Sequence, residues 1–220
     1  LAGLNLLISI YIYTKVPEFF LRFVIYILAI CMYRVRTKRH ENIPSEGAAV
    51  IVANHVSFVD WMFILATSPR PIRFMVFAPI YYSKALHWLF KMAKAIPIDS
   101  EKANPKAFAK AFDEVAAALE RGELVGIFPE GKLTSNGEMD MFRRGIERII
   151  ARTPVPVVPV HLDGLWGSMF SRKAKWQLPR LKWSLVSVSV GGPIEAEQVS
   201  ANYLHEQVSA LKAQHAKNTP

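Results

Sequence analysis

Residues 48–53 read Ala-Ala-Val-Ile-Val-Ala, six consecutive apolar residues that open after Pro44 and Gly47 and close on Asn54. Successive residues of a strand face opposite sides, so a strand apolar at every position must be covered on both faces. Arg73–Phe77, Leu124–Phe128, Val155–Leu162 and Leu185–Val190 are further strand candidates, the last ended by Gly191-Gly192-Pro193. Between them lie segments of helical character: Ser57–Ala66, Lys84–Lys94 (Leu86, Leu89, Phe90, Ala93), roughly Phe142–Ala151 stopped by Pro154, and Ser200–Gln214. Asn104-Pro105 supplies a cap and a proline for the first helical turn. Phe108, Ala111, Phe112, Val115 and Leu119 then form one stripe that ends near Gly122. Strands alternating with helices predict an α/β fold with a largely parallel sheet flanked by helices.

The first 33 residues differ in kind, with only Lys15, Glu18 and Arg22 as charges. Two apolar runs, Leu1–Tyr13 and Phe19–Tyr33, flank Pro17, which disfavours one uninterrupted helix. They read as an N-terminal apolar helical hairpin over 1–33, membrane-associated, with residues 34–220 as the main domain. The second run reaches only about 22 Å against a hydrocarbon thickness of about 30 Å, which favours a half-immersed or re-entrant hairpin. No basic n-region or small-residue cleavage site marks a signal peptide. Arg34, Arg36, Lys38 and Arg39 follow directly, as expected on the cytoplasmic side of a membrane, and the inner membrane is the expected location.

Fifty-one per cent hydrophobic and 20% charged residues exclude disorder. A single cysteine, Cys31, excludes an internal disulfide or a thiolate metal cage. The net charge of +9 favours anionic partners. Arg172, Lys173, Lys175, Arg180 and Lys182, interleaved with Trp176, Leu178 and Trp183, favour a membrane or acidic-carrier surface over nucleic acid. His55, Asp60, His87 and His161 lack ligand spacing, and no metal is expected.

His55 and Asp60 stand at a strand-to-helix junction, in His55-Val56-Ser57-Phe58-Val59-Asp60. The spacing has two readings. Ser57 and Asp60 suit a capping box, with Asp in place of the usual Glu or Gln. The same helix end would keep His55 neutral as a general base, with Asp60 fixing its tautomer. Phe128-Pro129-Glu130-Gly131 is a strand breaking into a carboxylate and a glycine that permits close approach to the backbone.

Taken in order, His-x4-Asp, Phe-Pro-Glu-Gly, Phe142-Arg143-Arg144-Gly145 and the proline-bearing Val155–Val160 resemble the glycerolipid and lysophospholipid acyltransferase family over roughly residues 34–195. The resemblance implies transfer of a fatty acyl group from an acyl-CoA or acyl-ACP thioester, a co-substrate rather than a cofactor, to a lysophospholipid hydroxyl at a phospholipid membrane. It makes His55 the general base and Asp60 its partner, has Glu130 and Gly131 line the acceptor pocket, and lets Pro159 shape the cleft. No covalent acyl-enzyme is expected, because no Ser or Cys occupies a nucleophile position. The family's Ile-x-Arg element reads Ile98-Asp99-Ser100 here, so Lys132, Arg143, Arg144 or Arg73 would take the place of the arginine as phosphate ligands. Gly164–Ser168 and the start at Leu1 look similar to bacterial modules fused behind transporter-like membrane domains. Two alternatives remain: a silent lipid- or carrier-binding domain, and an acyltransferase with another lyso-lipid acceptor.

Overall fold

The structure, a computed structural model, describes residues 3–5, 11, 17–168, 170–172 and 185–217. Its strands are β1 (Arg34–Lys38), β2 (Ala49–Ala53), β3 (Ile72–Phe77), β4 (Ile96–Ile98), β5 (Leu124–Ile127), β6 (Val157–Asp163) and β7 (Leu185–Val190). They form one sheet in the order β1-β7-β6-β2-β5-β3-β4. Every pairing is parallel except that of β6 with β7, so the five strands from β6 to β4 run one way and the β7–β1 pair runs back. This is the mixed α/β architecture, mostly parallel, that the alternation of elements implies. The predicted Ala48–Ala53 run is the fully buried β2, between β5 and β6.

Helices cover both faces: α1 (Pro17–Met32), α2 (Asp60–Thr67), α3 (Ala78–Tyr81), α4 (His87–Met92), α5 (Pro105–Glu120), α6 (Gly145–Arg152) and α7 (Ala201–Lys217). Ala49, Ile51 and Ala53 face a core shared with Leu21, Ile25 and Ala29 of α1 and Phe63 and Ile64 of α2. Val50 and Val52 face the opposite core, with Val115 and Leu119 of α5, Ile146 and Ile149 of α6, and Leu204 and Val208 of α7. Each Val or Ile buried in this way contributes about 2 kcal/mol. Helix α5 follows its sequence signals: the Asn104 side chain accepts the Ala107 N–H at 3.0 Å, Pro105 opens the helix, and Gly122 takes φ +75° just past its end.

The structure adds to these expectations and changes some of the element bounds. Arg34, Arg36 and Lys38 belong to edge strand β1, beside β7, with exposed side chains. The second apolar run is helix α1, and its buried face belongs to the main core. Most of the first run of the expected hairpin lies outside the described residues. No helix among the described residues is long and apolar enough to cross a membrane. The helix read from Ser57 begins at Asp60, because the N–H groups of Val56 and Ser57 are taken by the Asp60 side chain. The helix read over Lys84–Lys94 contracts to α4, and the one read from Phe142 begins at Gly145.

Asn54 ties the centre of the sheet to its neighbour. Its Nδ2 donates to the Leu162 carbonyl at 2.9 Å and its Oδ1 accepts the Leu162 N–H at 2.7 Å, so one side chain extends the β2–β6 ladder beyond the last strand residue. Asn54→Leu leaves two buried backbone groups unpaired, and an equilibrium denaturation series should show a loss of about 3 kcal/mol.

Candidate active site

β2 and β5 are adjacent and parallel, so the loops leaving their carboxyl ends share one end of the sheet, where open α/β folds bind ligands. His55 sits two residues beyond β2. Its backbone N–H donates to Glu130 Oε1 at 2.7 Å and its carbonyl accepts the Thr134 N–H at 3.0 Å. Its ring Nδ1 lies 2.9 Å from Asp60 Oδ2. The ring stacks on Phe128 with centroids 4.2 Å apart and planes 15° apart, and the side chain is 20% exposed.

Asp60 is fully buried at the first residue of α2. Its Oδ2 accepts from His55 Nδ1, from Val56 N–H at 2.7 Å and from Ser57 N–H at 2.9 Å, while Oδ1 has no partner. Burial pushes this carboxyl above the ordinary Asp value, and the three donors on Oδ2 oppose that shift. An ionised Asp60 only accepts, and in that state the contact is made by a proton on His55 Nδ1. The capping-box reading is half realised. Asp60 takes the Ser57 N–H, while Ser57 Oγ accepts the Val59 N–H at 3.4 Å, donates to the Phe170 carbonyl at 3.1 Å and makes no bond to an N–H within α2.

Glu130 is the second buried carboxylate, 2% exposed. Oε1 holds the His55 N–H and Oε2 accepts the Asp140 N–H at 2.9 Å. Burial raises its pKa above the ordinary Glu value, opposed by these two N–H groups. The side chain that the resemblance assigns to the acceptor pocket is therefore turned inward beneath the turn, where it positions the histidine backbone. Gly131 takes φ +69°, and its N–H closes the turn onto the Phe128 carbonyl at 3.0 Å. A Cβ there would lie 2.9 Å from the Arg143 guanidinium carbon, so the group that comes close to this glycine is Arg143.

The cations separate. Arg143 lies over the turn and makes no ion pair with a described carboxylate. Lys132 pairs with Asp140 at 3.0 Å, and exposed Arg144 approaches Glu147 at 4.0 Å. Arg73 is not brought to this end. It is level with Val125 and through it with Val50, five residues before His55 or about 16 Å down the strands, and its Nη2 donates to Glu123 at 2.9 Å. Ser100 lies past the end of β4 and caps a turn by accepting the Ala103 N–H at 3.1 Å. Among the described residues, no cluster of three His, Cys, Asp or Glu side chains could hold a metal ion. The roles of Phe74 and Phe128, whose rings stack at 5.8 Å, escape sequence reasoning; the one signal is Gly126, an isolated glycine inside a strand.

The profile of the acyltransferase family matches residues 34–163, which include His55, Asp60, Glu130, Gly131 and Arg143. The chain belongs to the acyltransferase family. It is 29% identical over 133 residues to a chloroplast 1-acyl-sn-glycerol-3-phosphate acyltransferase of Arabidopsis thaliana, matching 60% of this chain and 36% of that protein. It thus spans little more than a third of that plant relative. A 1-acyl-sn-glycerol-3-phosphate acyltransferase of Bacillus subtilis is 29% identical over 146 residues, 66% of this chain and 70% of the bacterial one. In fold it is similar to the 1-acyl-sn-glycerophosphate acyltransferase of Thermotoga maritima, with a TM-score of 0.66 at 21% identity, over 86% of this chain and 75% of the other.

Asp60→Asn tests the buried clamp. Its amide nitrogen must either replace Oδ1, which faces no acceptor, or replace Oδ2 and meet three donors. Chemical denaturation should show a loss of about 1–3 kcal/mol in either arrangement.

Proposed function

We propose that this acyltransferase moves a fatty acyl group from an acyl-CoA or acyl-ACP thioester to the free hydroxyl of a lysophospholipid at a membrane surface, without a covalent acyl-enzyme. The observation that carries the proposal is the His55 Nδ1 to Asp60 Oδ2 contact of 2.9 Å on a partly exposed imidazole. With Nδ1 protonated, Nε2 takes the acceptor hydroxyl proton as the oxygen attacks the thioester carbonyl. Asp60 stabilises the imidazolium that results, which then protonates the departing thiolate. The hydroxyl of Ser57, which stands between His55 and Asp60 in the chain, donates to the Phe170 carbonyl and not to the imidazole, which supports direct transfer.

The relatives' names give the acceptor class as an acylated glycerol phosphate. Arg143 is the cation nearest the turn without a carboxylate partner among the described residues, whereas Lys132 is held by Asp140 and Ser100 is neutral. A single guanidinium matches the one charge of a phosphodiester better than the nearly two charges of a monoester. We therefore assign a lysophosphodiester, such as lysophosphatidylethanolamine, as an acceptor used at least as well as lysophosphatidate.

The membrane reading is supported by α1. Opposite the buried Leu21, Ile25 and Ala29 it exposes Phe19, Phe20, Phe23, Tyr26, Ile27 and Ile30. An outward apolar face of this kind suits contact with a lipid surface, and with Arg34, Arg36 and Lys38 directly after the helix we take that surface to be the cytoplasmic face of the inner membrane.

His55→Ala should lower transfer by about 10²–10⁴-fold in a protein that still folds, with a lowered melt because the buried Asp60 loses one of its three donors. Near-normal product formation by a folded His55→Ala protein, assayed by mass with both lyso-lipids, would falsify the mechanism. In the same assay, kcat/KM for the phosphodiester should equal or exceed that for the monoester. A strong preference for the monoester would return the acceptor to lysophosphatidate.

Deleting α1 would also strip core packing, so the membrane contact is tested on its surface. Changing Phe19, Phe23 and Tyr26 together to Gln should cut flotation with anionic liposomes about tenfold or more, with the fold retained by circular dichroism.

A further inference from the structure

Three groups fix His55: Asp60 on the ring edge, Glu130 on the backbone N–H and Thr134 on the carbonyl. None of them touches the face of the ring. That face lies against Phe128, centroids 4.2 Å apart and planes 15° apart. Phe128 in turn is backed by Phe74 at 5.8 Å and 16°. Phe74 fits there because residue 126, its register partner on β5, is glycine; a Cβ at Gly126 would lie 2.4 and 2.6 Å from two of the Phe74 ring carbons. The notch, the two benzene rings and the imidazole thus form one column reaching from inside the sheet to the reacting group.

We propose that Phe128 is a positioning residue for acyl transfer, holding the His55 ring in its reactive orientation and stabilising the imidazolium through its π face, with Gly126 and Phe74 as its support. This rests on the general-base reading of His55. A neutral imidazole gains packing from a stacked benzene ring, and a cationic one gains a cation–π attraction as well. The difference appears when the hydroxyl proton reaches Nε2, as the O–C bond forms, and ends when the imidazolium returns that proton to the sulfur as the C–S bond breaks. An interaction stronger in the charged state than in the resting one acts on kcat and leaves ground-state binding alone. Asp60 also stabilises the imidazolium, but from the ring edge at Nδ1, whereas Phe128 acts on the ring face; Glu130 is engaged by backbone N–H groups, and Arg143 lies over the Gly131 turn.

The experiment compares Phe128→Leu, Phe128→Tyr, Gly126→Ala and His55→Ala with the wild type in the full chain, using a palmitoyl thioester and a lyso-lipid in detergent. Phe128→Leu should lower kcat about tenfold with both KM values within about twofold, and Phe128→Tyr should restore at least half of kcat. Gly126→Ala, which displaces Phe74 without touching the histidine, should lower kcat in the same direction. The His55 ring protons should resonate upfield in the wild type and move downfield in Phe128→Leu, as a ring current is lost. If Phe128→Leu does not fold, Phe74→Leu, one ring removed from the base, carries the same comparison. A Phe128→Leu enzyme with at least half the wild-type kcat, or one changed in KM alone, overturns the proposal; so does a Phe128→Tyr enzyme as impaired as the Leu variant. Full activity in His55→Ala would overturn the general-base reading itself. An inactive His55→Ala beside a fully active Phe128→Leu removes only the role of the ring.

Discussion

Asp60 Oδ2 gathers three donors at a point where no water reaches: an imidazole Nδ1 and two successive backbone N–H groups. Burying a carboxylate is costly, and the donors together with the positive end of α2 offset that cost. Because the oxygen is shared, the fold of residues 55–57, the entry into α2 and the tautomer of His55 are one arrangement. Moving any of the three donors disturbs the other two.

Glu130 repeats the device from the neighbouring strand. One oxygen holds the loop after β2 through the His55 N–H, and the other holds the approach to α6 through the Asp140 N–H. Asp60 thus fastens the loop after β2 onto α2, and Glu130 fastens that same loop to the one after β5, with the imidazole left partly exposed between them. Phe128, between the two, covers a face of the same ring.

Much of this was legible in the residues. The unbroken apolar run at 48–53 marks the centre of the sheet, Asn104-Pro105 marks the start of α5, and the spacing of His55 and Asp60 marks a strand-to-helix junction at which the two side chains meet. What stayed hidden depends on three-dimensional placement. Strand β1 alternates charge with Val35 and Thr37 and reads as a basic cluster until β7 lies beside it. Arg73 looks as available as Arg143 until the register puts it at the amino end of the sheet, against Glu123. Glu130 follows a strand and precedes a glycine, and nothing in that order says that its carboxylate turns inward. Whether Asp60 caps a helix or orients a base is undecided by spacing, because both uses need the same oxygen at the same helix end.

The two borders of the sheet differ in chemistry and agree in effect. On one side β1 presents Arg34, Arg36 and Lys38 to solvent; on the other, β4 carries Pro97, which has no N–H to offer. A second chain approaching the first border meets like charge if it brings its own β1, and one approaching the last finds a missing donor. However densely these molecules are crowded onto a surface, their sheets are poor templates for one another. Among the described residues, self-association by strand addition is disfavoured at both margins.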